Sequence, residues 1–155
     1  MTIPRLYLFG GFLLVNQHNQ TAVAVGSDRT RALVSILALS PQGETTRENL
    51  MGLLWSDRHA DESRNNLRTA LLALLQAISK LDTDPLVLNG RYVGLDSQLI
   101  NIDVREFLEK SSSDDLSDLR KAADLYTGAL LEGFAHVDSA FDNWLQEARA
   151  DLASR

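Results

Sequence analysis

Four neighbouring side chains carry the clearest chemistry in this sequence: Arg64, Asn65, Arg68 and Thr69. Arg64 and Arg68 stand four residues apart, the spacing that puts two side chains on one helix face. Guanidinium groups donate in a planar fork that matches phosphate oxygens and guanine edges, and Asn and Thr add neutral hydrogen bonds. The set therefore fits contact with a major groove, part of it reading base edges and part of it holding phosphates. A second account is a solvated helix face on which Arg64 pairs with Asp61. Arg91, next to Asn89-Gly90, can reach phosphates or an adjacent minor groove, or stand as an ordinary turn residue. Arg29, Arg31 and Arg47 fall near the starts of two expected helices, where free backbone N–H groups also attract phosphate.

Little else in the chain has the makings of chemistry. His18, His59 and His136 lie far apart, none at metal-ligand spacing from an acid or another histidine. The sequence holds no nucleophile elbow, phosphate loop or dinucleotide fingerprint. It has no cysteine, which excludes disulfide scaffolds and thiol chemistry and fits a reducing compartment. The expectation is a binding protein rather than an enzyme, with no metal and no cofactor. Trp55 and Trp144 each fall in line with an apolar helix stripe and read as core anchors.

The elements that must position the arginines follow from periodicity. Leu6 and Leu8, then Phe12 and Leu14, alternate as strands do, with Gly10-Gly11 as a bulge or bend between them. Thr21 to Val25 is a second β-prone run behind the polar turn 16–20. This makes a small antiparallel sheet ahead of any helix. Ser27 can cap a first helix striped by Leu33, Ile36, Leu37 and Leu39, and Ser40-Pro41-Gln42-Gly43 ends it. Thr45 and Glu48 have capping-box spacing for a short second helix with Leu50, Leu53, Leu54 and Trp55. A third runs from about Asp61 to Lys80 on Leu67, Leu71, Leu74, Leu75 and Ile78. Leu86-Val87-Leu88 and Tyr92-Val93-Gly94-Leu95 flank Asn89-Gly90, a strong hairpin signal. Sheet, three helices and hairpin in that order predict an OmpR-type winged helix over residues 1–100.

Charge divides the chain at the same place. The net charge is −6, yet residues 1–100 hold nine basic and nine acidic side chains, so residues 101–155 carry the whole imbalance. The front half thus raises no electrostatic objection to DNA, and the split predicts two units with different partners. The rear half reads as a short helix from Asp103 with Phe107 and Leu108, a solvated linker at 111–115, a helix over about Leu116 to Leu131 closed by Gly133, and a last helix from about Ser139 striped by Phe141, Trp144, Leu145, Ala148 and Leu152.

This ordered series resembles SARP-type bacterial transcriptional regulators. Leu8-Phe9-Gly10-Gly11-Phe12 is similar to their opening strand, and Arg29-Thr30-Arg31-Ala32-Leu33 with Leu37-Ala38-Leu39 to their first helix. Leu50 to Trp55, Asp57 and Arg64-Asn65-Asn66-Leu67-Arg68-Thr69-Ala70-Leu71 resemble their helix-turn-helix core. Tyr126 to Leu131 and Trp144 to Arg149 resemble the start of the bacterial transcriptional activator domain, a TPR-like module. The resemblance implies an α+β fold, double-stranded DNA as partner, and Arg47, Arg64, Asn65, Arg68, Thr69 and Arg91 as contact residues. It also implies RNA polymerase or another protein as a second partner, and a homodimer. One departure stands out. The family's recognition helix usually continues with a serine and several arginines, where this chain has Leu72-Ala73-Leu74-Leu75-Gln76.

Two functions therefore remain open at this point. One is a sequence-specific DNA-binding regulator; the other is a degenerate winged helix used for protein–protein contact in a larger signalling or TPR-containing protein. No apolar run reaches the roughly 18 residues of a membrane span and no signal-peptide pattern is present, so the expected location is cytoplasmic. TPR-like arrays need about three stacked repeats, so residues 101–155 are expected to be a truncated start of the activator domain.

Overall fold

The computed structural model describes residues 2–155. Two small sheets and six helices share one hydrophobic core that draws on both halves of the sequence. Strands β1 (Arg5–Tyr7) and β2 (Leu13–Asn16) pair antiparallel, with Leu6 opposite Leu14. Gly10 and Gly11 take φ of 83° and 153°, so the glycine pair is the bend that reverses the chain, not a bulge within one strand. β3 (Thr21–Ala22) adds to β2 and is shorter than the Thr21–Val25 run; Val23 and Val25 turn inward to the core instead. β7 (Asn101–Ile102) joins β1 in parallel on the other side, an element that its short sequence does not announce.

Helix α1 (Asp28–Leu39) is capped as expected, the Ser27 hydroxyl accepting from the Thr30 N–H. It buries Leu33, Ile36 and Leu37 completely or nearly so. After a 3-10 turn at Pro41–Gly43, β4 (Glu44–Thr46) leads into α2 (Arg47–Leu54). The cap of α2 is Thr46, whose hydroxyl accepts from Asn49 N–H. The capping-box spacing points to Thr45 instead, but the Thr45 backbone pairs in β4 with Val93, so the helix starts one residue later. α3 (Ala60–Ile78) buries Leu67, Leu71, Leu74 and Ile78 on the predicted stripe.

The hairpin β5 (Leu86–Asn89) and β6 (Tyr92–Leu95) forms as read, and β4 adds a third strand to it. Its register is one residue off the expected turn. Asn89 pairs with Tyr92, so the loop is Gly90-Arg91, with the positive φ of 50° on Gly90. β4 lies close against Gly94, where a Cβ would stand 2.9 Å from that of Glu44 and 3.0 Å from the Gly43 carbonyl oxygen, so only glycine fits.

In the rear half, α4 (Asp103–Ser111) and α6 (Ser139–Ala153) match the expected helices. The middle one does not. α5 (Leu116–Leu125) stops six residues before the predicted end. The segment beyond it binds back to the first sheet region: Leu130 bridges Phe9, Leu131 N–H donates to the Leu8 carbonyl at 2.7 Å, and Gly10 N–H donates to the Ala129 carbonyl at 2.9 Å. Tertiary hydrogen bonds win over the helical pattern of 126–131.

Polar ties reinforce the shared core. The buried Asp103 carboxylate accepts from the backbone N–H groups of Leu8, Phe9 and Val104 at 2.8–3.1 Å. Burial raises its pKa above the usual carboxylate range, against the pull of those three donors. Arg5 and Glu106 make a two-pronged ion pair beside it, at 2.8 and 3.2 Å. Arg105 donates to the carbonyls of Ala38 and Leu37, closing the C-terminus of α1.

Candidate nucleic-acid interface

The exposed side of α3 carries Arg64, Asn65, Arg68, Thr69, Leu72, Leu75 and Gln76. It faces away from the core because its buried residues recur every three to four positions on the other side. Arg64, Arg68, Leu72 and Leu75 form one stripe of this face. They line a cleft of about 280 Å³ whose other walls are Arg47 and Met51 of α2 and Leu88 of β5. Three of the residues predicted to bind DNA, Arg47, Arg64 and Arg68, thus meet around one opening.

Their electrostatic states differ. Arg64 pairs with Asp61 within α3, as the solvated-face account expects, but the pair is exposed and weak enough to be exchanged for a better acceptor. Arg68 has no ion-pair partner among the described residues. Arg47 donates its Nε–H to the Gly90 carbonyl at 2.8 Å, and its own N–H donates to the Arg91 carbonyl at 2.9 Å. α2 and the hairpin tip are therefore fastened together, and Arg91 stands exposed beside Arg47. Asn65 and Thr69 lie on the neighbouring stripe of α3. The Thr69 hydroxyl already donates to the Asn65 carbonyl, and Thr69 borders a second hollow, with Ser27 and Arg29, toward α1.

Two other arginines are placed otherwise than phosphate contact requires. Arg29 is half-buried and donates to the carbonyls of Leu54 and Val137, and Arg31 pairs with Asp28 and donates to the carbonyls of Val25 and Gly26. Both serve the fold. Trp55 is buried, and Trp144 is half-buried and stacked on Phe141 with ring centroids 5.3 Å apart. Among the described residues no three His, Asp or Glu side chains gather as a metal site would need. No helix of the described chain is long and apolar enough to cross a membrane.

The sequence did not reveal the floor of the cleft. Leu88 comes from a strand beyond the end of α3, and Met51 from another helix, so only the folded chain joins them to Leu72 and Leu75. Leu72 is 57% exposed and Leu75 is 37% exposed. The surface is thus a small apolar floor with cations on its rim.

The fold has a solved counterpart. Mycobacterium tuberculosis EmbR, in its complex with a low affinity phosphopeptide, superposes with a TM-score of 0.77 at 14% identity. The match covers 97% of this chain and 43% of that one, so this chain spans less than half of EmbR's length. At that identity the likeness is one of fold. No protein-family model matches the sequence, and no curated protein does.

Proposed function

We propose that this chain is the DNA-reading end of a transcriptional regulator of the SARP type and that it performs no covalent chemistry. In this reading α2 and α3 are the helix-turn-helix, α3 enters the major groove, and the β5–β6 hairpin is the wing. The three helices after residue 102 are the start of a TPR-like activator module. The observation that carries the reading is the meeting of Arg47, Arg64 and Arg68 on one exposed face, with Arg91 beside them at the hairpin tip. The sequence resemblance supports it, and the fold shared with EmbR is compatible with it. Arg64 and Arg68 would hold phosphates or guanine edges, Asn65 an adenine edge, and Arg47 and Arg91 the flanking backbone.

The test is retention of a duplex from the gene's own upstream region at two salt concentrations. Arg64→Ala combined with Arg68→Ala should abolish retention, and replacing one phosphate-binding arginine at a time should flatten the salt slope by about one unit. A double variant that binds as wild type does would overturn the reading.

One observation favours a second reading. Leucines cannot hydrogen-bond a base, and Leu72, Leu75 and Leu88 give the cleft an apolar floor that a partner's apolar side chain would cover. If the double arginine variant is silent and Leu72→Arg breaks an oligomer or complex instead, the cleft is a protein-docking surface.

A further inference from the structure

α3 begins without a cap of its own, because His59 at its N-cap position makes no side-chain hydrogen bond. The loop in front of it is held from 82 residues away. Ser56 N–H donates to Oδ2 of Asp138 at 3.0 Å, and the Ser56 hydroxyl donates to Oδ1 at 2.7 Å. The same carboxylate caps α6, with Oδ1 accepting from the Ala140 N–H at 2.8 Å. Arg29 on α1 completes the joint, donating Nε–H to the Leu54 carbonyl at 3.1 Å and Nη2–H to the Val137 carbonyl at 2.9 Å. The hold passes on to α3 through Ser63 in its first turn, whose hydroxyl donates to the Trp55 carbonyl at 3.3 Å. Trp55 itself is buried, as is Phe141 in the first turn of α6.

From these contacts we infer that Asp138, together with Arg29, is a positioning residue for α3: the helical segment after residue 102 sets the angle at which α3 meets its target. A cap for α6 needs only the Ala140 bond, so the two bonds from Ser56 are surplus to capping. They lie at the turn between α2 and α3, just ahead of the helix turns that carry Arg64 and Arg68, so slack there shifts both arginines against their target. Asp138 is 6% exposed, so its charge is desolvated and a missing donor is not replaced by water at no cost. A contact that tells one base from another tolerates less slack than a contact to phosphate. The joint therefore bears on specificity before it bears on total affinity. The inference rests on the DNA reading for its consequence, but the joint itself is tested without DNA.

The experiment uses the full chain with Ser56→Ala, Asp138→Asn and the double variant. Ser56→Ala leaves the α6 cap and the core untouched, so it reports even where Asp138→Asn fails to fold. Hydrogen exchange is followed at the amides of residues 56–63, and binding is measured to the upstream duplex and to a scrambled duplex of equal composition. Each single variant should speed exchange across 56–63 by about tenfold, the order expected for one hydrogen bond to a charged acceptor, while the hairpin amides stay as they were. The preference for the upstream duplex over the scrambled one should fall by a similar factor with the salt slope unchanged. The double variant should be no worse than the poorer single one. A merely structural role would lower both affinities equally through the folded fraction. The inference is overturned by unchanged exchange at 56–63, by additive single effects, or by an equal loss on both duplexes. If wild type binds neither duplex, the DNA reading falls and the exchange result alone decides whether the joint positions α3.

Discussion

Leu72 is the residue on which the two functional readings divide. It lies one turn beyond Arg68 on the exposed stripe of α3 and stands 57% exposed. Burying a leucine fully is worth about 1.5–3 kcal/mol, which a DNA groove offers only through a thymine methyl. Leu72→Arg should therefore strengthen DNA retention and steepen its salt dependence while leaving self-association as it was, measured by retention at two salts and by sedimentation. Weaker retention together with a broken oligomer would show the leucine to be part of a protein contact. Asp138 gives a second residue-scale test. Burial raises its pKa, but the Ser56 hydroxyl, the Ala140 and Ser56 N–H groups and the nearby Arg29 charge outweigh burial and hold the carboxyl below its ordinary value. A carboxyl depressed in the folded state contributes stability that is present above its unfolded pKa, about 3.9, and is lost as pH falls through the folded value. The stability gap between wild type and Asp138→Asn in urea melts should thus be constant from neutral pH to about 5 and close below about 4. A gap that widens in acid would contradict the assignment. The α3 face was legible from periodicity alone, since burial on Leu67, Leu71 and Leu74 leaves Arg64 and Arg68 outside. The fate of Arg29 was not, because one of its carbonyl acceptors is 25 residues away and the other 108.

At the scale of elements, local signals sufficed wherever the local pattern met no competition. Ser27 capped α1 and the Asn89-Gly90 region made a hairpin, because each is set by a few neighbouring residues. They failed where a distant segment of backbone offered better partners. Residues 126–131 carry a helical pattern, yet α5 ends at Leu125 and the following backbone hydrogen-bonds to Leu8 and Gly10. Gly128 reports which arrangement holds. A Cβ there would stand 3.1 Å from the Cα of Gly10 and 3.4 Å from its nitrogen, and Gly10 is pinned by its own bond to Ala129. In a helix, Gly128→Ala would stabilise by up to about 1 kcal/mol. Packed against Gly10, it should destabilise by about 1–3 kcal/mol, the usual cost of an extra methyl in a filled site. Thermal melts of this one variant distinguish the two.

For the whole molecule, the charge asymmetry marked a boundary near residue 100 that the packing does not respect. The front half is charge-balanced and the rear half acidic, which reads as two units. Yet Ile102 and Val104 are buried in the same core as Leu6 and Leu8, and β7 pairs with β1. Charge balance reports mainly on surfaces and on what they meet, whereas the core is mostly apolar and contributes little to it. The physical consequence concerns the first strand. Cutting the chain at residue 100 removes the Asp103 carboxylate and leaves the N–H groups of Leu8 and Phe9 without their acceptor. It also removes Phe107, whose ring meets that of Phe9 edge-on at 5.3 Å, together with Leu130, Leu131 and Phe141. Each uncovered large side chain costs about 1.5–3 kcal/mol, while a domain of this size has only some 5–15 kcal/mol to lose. Residues 1–100 alone should therefore show no cooperative thermal transition by circular dichroism, and the intact chain should show one transition followed alike by Trp55 and Trp144 fluorescence, each read in a variant lacking the other tryptophan. If the shortened chain melts cooperatively and still protects the amides of α3 from exchange, the front half is a domain in its own right, and the ties at Asp103 and Asp138 are ornaments on it rather than parts of its core.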